Sequence, residues 1–459
     1  MLDRIVSTLY DIVWSPALIV LLVGAGLYFS IRTRFVQVRR VGLMARLLFS
    51  PKPSGSKGIS SFEAFCVALS GRVGTGNIVG VATAIALGGP GAVFWMWVIA
   101  FLGASTAFME STLAQMYRRK HSRGFTGGPA DYIDKGLGQR WLGVVFAVFT
   151  VLGYGLLLAT VQSNGVSSAF ANSFSINPLW SGIGLAAVLT LVIVGGLNRI
   201  SKVASIVTPF MAVVYVLMAL VIIACNWRAV PGVFASIFSS AFGANQAFGG
   251  IVGSAIAMGV KRGLFSNEAG QGGGAYASAS ADVSAPAQQG LVQAFSVYID
   301  TILVCTATAL MILCTGCFNV FAPDGTALVS NAPELGANYV GFTQAAIDTV
   351  FHGFGSSFVA VALCFFAFTT LMAYYFYSES AIIYICGLRG GKGEKLFILA
   401  YRLLLIVVVI FGALNQADVV WTIGDIGLGL TTWVNVLVLL ILCPQALKAL
   451  KDYENGLKK

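Results

Sequence analysis

Long apolar segments alternate with short polar connections along almost the whole chain. A helix that crosses the hydrocarbon core of a bilayer needs about 20 predominantly apolar residues, and the spacing of the polar interruptions predicts about eleven such segments. Each segment is continuously apolar and lacks the alternation of a strand in a membrane barrel. The expected fold class is therefore all-α integral membrane.

The predicted crossings form two sets of five behind one extra N-terminal helix. That helix lies near 16–32, the first set comprises 60–87, 90–117, 141–166, 179–197 and 203–226, and the second comprises 244–266, 288–316, 354–386, 395–414 and 417–443. Because five is odd, the second set enters from the opposite side, as in an inverted repeat. The predicted domains are 1–58 for the extra helix and basic linker, 59–228 and 229–445 for the repeats, and 446–459 for the tail.

Composition agrees with a membrane protein, and the charges give it an orientation. The chain is 57% hydrophobic and 10% charged, with a net charge of +10. Its Lys and Arg residues lie in alternate short connections rather than in one patch, so nucleic acid is not an expected partner. The positive-inside rule puts the N-terminus outside and the C-terminus in the cytoplasm. The first crossing has no basic start and no small-residue cleavage site, so we expect a retained helix rather than a signal peptide.

A polar, glycine-rich run from Ser70 to Asn77 interrupts the first crossing of the first repeat. An unwound segment survives in hydrocarbon only where it lines a protein cavity, and such breaks mark binding sites in transporters. Glycines let carbonyl groups near Ser70 to Val73 and N–H groups near Thr75 to Asn77 turn toward a ligand. Carbonyl oxygens suit a monovalent cation, and N–H groups at a helix start suit a carboxylate. The run predicts a site for both together.

A second interruption is predicted at Phe248 to Ser254, the corresponding position of the second repeat. Paired interruptions are the best sequence indication of a transport site, although small residues at this spacing also let membrane helices pack closely. The residues predicted to line a small substrate pocket here are Phe248, Gly249, Gly250, Ile251 and, from a later crossing, Thr369.

Several other polar residues lie within predicted crossings, where ionisable side chains usually serve a function. Asp300 could contribute to a cation site or serve as a structural hydrogen-bond acceptor. Gln162, near Asn164 in the outer half of its helix, could contact the amino group of a substrate. Four acids are expected to anchor helices or form gates, with Arg72 and Arg402 as counter-charges: Glu63, Glu110, Glu379 and Asp425.

Other kinds of site are not expected. A phosphate-binding loop needs a preceding strand and a following Lys, and the Ser70 to Asn77 run has neither. Cys314 and Cys317 end a membrane helix, and His121 and His352 lie in predicted loops, which disfavours a metal or redox centre. The crossings hold no His and no carboxylates paired at catalytic spacing, which disfavours an enzyme. No organic cofactor is expected.

The sequence from Gly71 to Trp97, GRVGTGNIVGVATAIALGGPGAVFWMW, carries a resemblance to a known family. Its block at Gly88 to Trp97 joins two glycines and small residues to FWMW, and it resembles the alanine/glycine:cation symporter family, the sodium:alanine symporters. The stretches Lys261 to Gly270 and Gln289 to Thr301 are similar to that family too. The resemblance implies a leucine-transporter-like fold of two five-helix repeats behind one extra helix.

The Val73 to Asn77 sequence is also similar to the broken first helix of leucine-transporter-type sodium symporters. That likeness implies that one sodium ion is held by carbonyl and hydroxyl groups of Ser70, Val73, Phe366, Thr369 and Thr370. It implies a second cation position bordered by the Arg72 carbonyl and the Asn77 side chain, and a substrate carboxylate at the backbone of Gly74, Thr75 and Gly76. The pattern has an apolar residue where Arg72 stands, so Arg72 is expected to form an ion pair, act as a gate or extend to the surface.

The function implied is sodium-coupled symport of a small neutral amino acid, alanine or glycine, into the cell. Cation and substrate together would close the two broken helices, and one helix bundle would then rock against the other. The alternatives are proton coupling through Asp300 or a buried Glu, and a passive facilitator or channel. The expected setting is a prokaryotic plasma membrane, the expected partners are the substrate and the lipid bilayer, and a monomer would suffice.

Overall fold

The computed structural model describes residues 2–51, 58–121, 124–245, 248–387 and 392–457, and it is almost entirely helical. The helices of the first half are α1 Leu2–Val13, α2 Pro16–Arg32, α3 Val36–Arg39, α4 Val41–Leu48, α5 Ser61–Arg72, α6 Val81–Gly88, α7 Gly91–Met116, α8 Pro129–Leu137, α9 Arg140–Leu152, α10 Leu158–Phe174, α11 Pro178–Ile193 and α12 Gly196–Cys225. Those of the second half are α13 Val230–Ala241, α14 Val252–Asn267, α15 Gly273–Ser280, α16 Pro286–Val297, α17 Thr306–Thr315, α18 Tyr339–Asp348, α19 Gly355–Ile385, α20 Lys392–Leu414 and α21 Ala417–Gly456. Two antiparallel hairpins accompany them, β1 Arg119–His121 with β2 Gly124–Thr126, and β3 Asn319–Phe321 with β4 Ala327–Ser330.

Eight helices of the described chain are long and apolar enough to cross a membrane, and the bent pair Ser61–Arg72 with Gly76–Gly88 makes a ninth. The break in that pair turns its axis by 52°, which confirms the interruption predicted at Ser70 to Asn77. The shorter apolar helix α11 and the pair formed by α14 and α15 lie near the two other predicted crossings. An all-helical membrane fold is thus confirmed, and the count of eleven crossings stays a prediction.

A capping box fixes the start of α5, the first part of the broken helix. The Ser60 hydroxyl accepts a hydrogen bond from the Glu63 N–H over 3.1 Å, and the Glu63 carboxylate accepts one from the Ser60 N–H over 2.7 Å. This reciprocal arrangement satisfies N–H groups that a helix start leaves unpaired. Glu63 therefore sets the entry of the broken helix, and the gate role predicted for it is untested.

Two broken helices run antiparallel to each other through the centre of the protein. The first comprises α5 and α6, and the second comprises α14 and α15. At one end the Ile59 N–H donates to the Ser280 carbonyl over 3.1 Å. Farther along, a Cβ placed on Gly76 would lie 2.7 Å from the Phe265 ring. Opposite directions for these two helices are what an inverted repeat requires.

The second interruption lies later in the chain than predicted. Phe248 to Ser254 is not a break within a helix, because it forms a short 3-10 turn that leads into α14. The break comes between α14 and α15, where Glu268, Gly270 and Gly272 have φ angles of +52°, +86° and +91°. Glycine adopts such angles readily and other residues rarely do. The polar, glycine-rich sequence here ends the helix.

The glycines of the predicted second break do not bring helices together. Gly249 and Gly250 are both exposed. Among the residues that the structure describes, a Cβ placed on Gly250 would meet no other atom within 4 Å, and one on Gly249 would meet only the Gly243 carbonyl oxygen, at 3.4 Å. The prediction of a close, glycine-lined approach at this position is therefore wrong.

Elements outside the predicted crossings are also well formed. The segment 229–242, which leads from α12 toward α14, contains α13. The long connection 319–354 folds into the β3–β4 hairpin and α18. The first span begins earlier than predicted, at Val6, because α1 and α2 form one apolar unit over Val6–Arg32. α1 packs on α21, where the Trp14 indole N–H donates to the Asp425 carbonyl over 2.8 Å.

Candidate functional site

An asparagine holds the first break in place. α5 ends at Arg72, Val73 and Gly74 are unwound, and Gly76–Gly80 forms a π-helical turn. The Asn77 side-chain oxygen accepts a hydrogen bond from the Gly74 N–H over 2.8 Å. Asn77 is fully buried, so this bond satisfies an N–H group that would otherwise be unpaired in apolar surroundings. The asparagine thereby stabilises the unwound chain.

A cluster of oxygen atoms lies on the carbonyl side of this break. The Thr370 hydroxyl, on α19, lies 2.8 Å from the Ser70 carbonyl oxygen and 3.3 Å from that of Val73. The Phe366 carbonyl oxygen lies 2.9 Å from the Thr370 hydroxyl and 3.0 Å from the Thr369 hydroxyl. Oxygens that surround a hard cation at roughly 2.3–2.6 Å stand about this far apart. The structure thus brings together the five residues that the resemblance implied for one sodium ion.

The N–H side of the break is occupied by side chains of the protein. The Thr75 N–H donates to the side-chain oxygen of Gln162, on α10, over 3.0 Å. The Gly74 N–H is bonded to Asn77, as described above. The Thr75 hydroxyl is buried and has no hydrogen-bond partner in the described part of the chain. Gln162 therefore lies at the site, on the side predicted for a carboxylate, and its predicted contact with a substrate amino group is untested.

Asp300 lies behind the break in a dense hydrogen-bond network. Its carboxylate accepts from the Asn77 amide over 2.5 Å, from the Ser266 hydroxyl over 2.7 Å and from the Thr301 hydroxyl over 2.6 Å. Asp300 is fully buried, and a buried carboxylate is tolerated when it is hydrogen-bonded in this way. The structural role predicted for Asp300 is therefore present, and its role as a cation ligand is untested.

Arg72 does not extend to the surface. Its side chain is 1% exposed, and its guanidinium donates to the Gln293 carbonyl over 3.1 Å and to the Ser296 hydroxyl, both on α16. A buried cation requires opposite charge nearby. Three buried carboxylates interact electrostatically with Arg72, namely those of Glu110, Glu268 and Asp300. Two guanidinium nitrogens, Nε and Nη2, have no hydrogen-bond partner in the described part of the chain, so these carboxylates compensate the charge of Arg72 at longer range and not in a direct ion pair.

Glu110, on α7, holds the second break. One of its carboxylate oxygens accepts hydrogen bonds from the N–H groups of Gly270 and Gly272, each over 3.1 Å, and from the Asn435 amide over 3.1 Å. The Asn435 amide also donates to the Gly270 carbonyl over 3.0 Å. These bonds pair backbone groups that the unwound chain cannot pair within itself. The anchoring role predicted for Glu110 is confirmed.

The predicted pocket residues of the second repeat lie elsewhere. Phe248 and Ile251 pack beside Gly89, at the far end of α6, and not beside the first break. Phe265, one turn before the observed break, covers Gly76 instead. The reason is the register of the antiparallel pair, which places the last turn of α14 beside the first break. The assignment of Phe248, Gly249, Gly250 and Ile251 to the pocket is therefore not supported.

Aromatic side chains close the site on both sides. On the α6 side the Phe265 ring lies 4.9 Å from the Trp421 ring, measured between centroids. On the α5 side a Cβ placed on Gly71 would lie 2.5 Å from the Tyr377 hydroxyl, and Tyr377 packs 5.3 Å from Tyr154. The break residues Thr75 and Asn77 are fully buried, as are Ser70 and Thr370. The structure is thus in a closed arrangement.

Ion pairs lie beside these aromatic layers. Asp425 contacts Arg262 over 2.6 Å and Lys261 over 4.0 Å, and the Arg262 guanidinium stacks 4.5 Å from the centre of the Trp421 ring. Glu379 lies 3.6 Å from Arg402. Asp425 and Glu379 thus pair with arginines as predicted, although the partner of Asp425 is neither Arg72 nor Arg402.

Sequence reasoning overlooked Ser266 and Glu268 as members of the site. The sequence Ser266 to Gly274, SNEAGQGGG, joins polar residues to a glycine run, and that combination is a stronger break signal than Phe248 to Ser254.

Thr369 is buried and its hydroxyl also lies 3.7 Å from the Met211 sulfur. Its predicted contact with a substrate is untested. All eight cysteines are free, and the described residues contain no group of three His, Cys, Asp or Glu that could bind a metal ion.

The whole chain, residues 1–459, matches the sequence model of the sodium:alanine symporter family. It is 50% identical over 454 residues to the putative sodium/proton-dependent alanine carrier protein YrbD of Bacillus subtilis (strain 168), covering 99% of this chain and 93% of that protein. It is 43% identical over 453 residues to the probable sodium/glutamine symporter GlnT of the same strain, with coverage of 98% and 91%. A mutant manganese transporter of Eremococcus coleocola has a similar solved structure, with a TM-score of 0.56, 15% identity and coverage of 87% and 80%, so that likeness concerns the fold alone. The chain belongs to the sodium:alanine symporter family, whose members are transporters and not enzymes.

Proposed function

We propose that this chain carries a small neutral amino acid, alanine or glycine, into the cell together with sodium. The observation that carries the proposal is the Thr370 hydroxyl, 2.8 Å from the Ser70 carbonyl and 3.3 Å from the Val73 carbonyl. These oxygens form a cation site directly beside the N–H groups of Gly74 and Thr75, which suit a carboxylate. A sodium ion and an amino acid would therefore bind at adjacent ends of one break.

The restricted space around the break favours a small substrate. A Cβ placed on Gly74 would lie 2.5 Å from the Thr370 hydroxyl and 2.8 Å from the Gln162 side-chain oxygen. The Phe265 ring covers Gly76 from the opposite helix. Alanine and glycine need little room beyond their zwitterionic groups. Glutamine, which the name of one relative suggests, would require Phe265 or Gln162 to move.

Alternating access would follow from the aromatic contacts that close the site on both sides. A cation bound by the carbonyls of Ser70 and Val73 and by Thr370 would hold α19 against the first broken helix. Without substrate, Gln162 would still accept the hydrogen bond from the Thr75 N–H. The substrate carboxylate would take the place of the Gln162 oxygen there and complete the closed arrangement. Release to one side then requires Phe265 to move away from Trp421, and release to the other side requires Tyr377 to move away from Tyr154. Only one of the two contacts would open at a time.

Proton coupling is the second candidate, because the name of the relative YrbD includes a proton and because Asp300 and Glu268 are buried beside the break. Uptake of alanine into proteoliposomes separates the two, with a sodium gradient at equal pH in one set and a pH gradient without sodium in the other. We expect accumulation with the sodium gradient alone. Accumulation driven only by the pH gradient would show that the coupling ion is the proton and not sodium. Equilibration without accumulation under both conditions would indicate a facilitator.

We also propose the organisation inferred from the basic connections. The two repeats would comprise 59–228 and 229–445, behind the extra helix and linker of 1–58, with 446–459 as a tail. The N-terminus would face outward and the C-terminus the cytoplasm of a prokaryotic cell, with the protein acting as a monomer. Protease digestion of a C-terminal epitope in right-side-out vesicles tests the orientation, since a cytoplasmic tail is cleaved only after the vesicles are opened.

A further inference from the structure

A basic cleft lies where the first and last spans reach the membrane surface. It has a volume of about 340 Å³ and lies between the end of α2, the short helix α3 and the last turns of α21. Four basic residues line it, Arg32, Arg34, Arg39 and Lys451, together with one acid, Glu454. The lining therefore carries three more positive than negative charges, four minus one.

The charges of this cleft are not equally compensated. Arg39 is paired with Glu454 over 2.5 Å and also donates to the Thr33 carbonyl over 3.2 Å. Arg34 and Lys451 are exposed, and neither side chain forms a hydrogen bond or an ion pair with the part of the chain that the structure describes. Arg32 donates to the Tyr28 hydroxyl. The cleft thus contains two arginines that have partners, Arg32 and Arg39, and two basic side chains that are available to an anion.

The backbone at Arg34 is strained. Arg34 and Phe35 have φ angles of +56° and +52°, a conformation that costs non-glycine residues free energy. The turn is held by hydrogen bonds from the Arg34 N–H to the Ile31 carbonyl over 2.9 Å and from the Phe35 N–H to the Ser30 carbonyl over 2.6 Å. This is the bonding of a helix end that usually has glycine at the left-handed position. Backbone strain of this kind is concentrated at functional sites.

Exposed apolar side chains lie next to the basic ones. Phe35 is 41% exposed and Val38 is 56% exposed, and they flank Arg34 and Arg39 in the sequence. Basic residues beside exposed apolar ones are typical of a segment that lies in the interfacial region of a bilayer. Basic pockets between membrane helices at this level bind phospholipid headgroups.

We propose that this cleft binds the phosphate of an anionic phospholipid through Arg34 and Lys451, with an acyl chain along Phe35 and Val38. The bound lipid would join the extra N-terminal helix to the C-terminal helix, since Arg34 lies in the turn that follows α2 and Lys451 lies on α21. This site is separate from the transport site and does not depend on which amino acid is carried.

The test compares phosphatidylglycerol, phosphatidylcholine and inorganic phosphate as ligands of the full-length protein, purified in an uncharged detergent. The readout is the thermal unfolding midpoint as each is added. We expect phosphatidylglycerol to raise the midpoint and the other two to have little effect. An equal response to phosphatidylcholine would show that charge is not recognised, and an equal response to inorganic phosphate would show a simple anion site; either overturns the proposal.

The double variant R34Q/K451Q removes the two unpaired charges. We expect it to weaken the apparent affinity for phosphatidylglycerol about 30-fold, because each basic residue near a membrane surface contributes roughly 1 kcal/mol and 1.4 kcal/mol corresponds to tenfold. The matched control R199Q/K202Q removes two exposed charges from α12, away from the cleft. Equal losses in the two double variants would show that only net charge matters and would overturn the site.

The single variant Arg34→Gly gives two responses of opposite sign. Glycine relieves the left-handed strain at position 34, so the unfolding midpoint without added lipid should rise. The same change removes the phosphate-binding side chain, so the response to phosphatidylglycerol should fall. A variant that is more stable and responds to the lipid as the unaltered protein does would contradict the role of Arg34.

Discussion

The side-chain oxygen of Gln162 accepts a hydrogen bond from the backbone N–H of Thr75 over 3.0 Å, across the first helix break. Leaving a buried N–H unpaired costs about 1–3 kcal/mol, so Gln162 stabilises the break while no carboxylate is bound there. The bond also has a cost for the substrate, because an amino acid must replace Gln162 before its carboxylate reaches that N–H. Selectivity at this site therefore depends on how well a ligand replaces the hydrogen bond that Gln162 accepts from the Thr75 N–H.

Replacing Gln162 with Glu tests this exchange. The variant places a permanent carboxylate on the Thr75 N–H, and a charge-assisted hydrogen bond is stronger than a neutral one by roughly 1–2 kcal/mol. We expect the KM for alanine to rise about tenfold or more. Isothermal titration with sodium alone should show tighter binding, because the added carboxylate lies beside the Thr370 hydroxyl and attracts the cation. An unchanged KM would show that Gln162 does not occupy the carboxylate position.

The two neighbouring threonines of α19 should differ in importance. Thr370 contacts both carbonyls of the first break, and Thr369 contacts only Phe366 among the oxygens of that group. Thr370→Val removes a ligand with little change in shape, and we expect half-saturation of uptake to need about tenfold or more sodium. Thr369→Val should have the smaller effect. Uptake at varied sodium concentration measures both, and identical sodium dependence in Thr370→Val and the unaltered protein would refute the cation assignment.

Alanine substitutions distinguish the observed second break from the predicted one. Gly272 has a φ of +91°, and a Cβ there would lie 2.3 Å from the Pro129 ring, whereas a Cβ on Gly250 would contact nothing within 4 Å in the described part of the chain. Gly272→Ala combines backbone strain of about 1–2 kcal/mol with overpacking of about 1–3 kcal/mol. We expect it to lower the unfolding midpoint and to abolish uptake. Gly250→Ala is the matched control and should preserve both, and similar behaviour of the two variants would contradict the placement of the break.

Asp425 should keep the Phe265 side of the site closed. Asp425→Asn removes the carboxylate that Arg262 and Lys261 both contact, and loss of one member of a buried ion pair costs roughly 3–5 kcal/mol. The closed arrangement should therefore be less populated. Cys305 can report this, because it is 2% exposed and its sulfur lies 3.1 Å from the Ser266 hydroxyl.

The measurement is the rate at which a polar thiol reagent labels Cys305 in protein that lacks the other seven cysteines. We expect Asp425→Asn to raise that rate about tenfold or more, and alanine with sodium to lower it again. The matched control is Glu454→Gln, which breaks the partly exposed pair with Arg39, far from the site, and should leave the rate unchanged. A rate that is equal in Asp425→Asn and the unaltered protein would exclude a gate at this pair.

Much of the fold was predictable because a bilayer imposes strong local rules. Apolar segments of helical length must be helices, and a glycine-rich polar run within one must be a break. The first break, the cation oxygens near Ser70 and the family resemblance were accessible from sequence for this reason. The second break was misplaced because glycine spacing alone does not distinguish a helix start such as Gly249–Ile251 from an interruption.

The sequence by itself determined the class of protein, the first broken helix and the residue types suited to a cation and a carboxylate. Only the tertiary structure decided which side chains meet there. The antiparallel register of the two broken helices brings Phe265 and Glu268, rather than Phe248, beside the first break, and packing of α10 brings Gln162 onto the Thr75 N–H. Local composition sets where a chain unwinds. Contacts between distant segments depend on how many residues each helix has before its break, and the packing of all the helices against one another fixes that number.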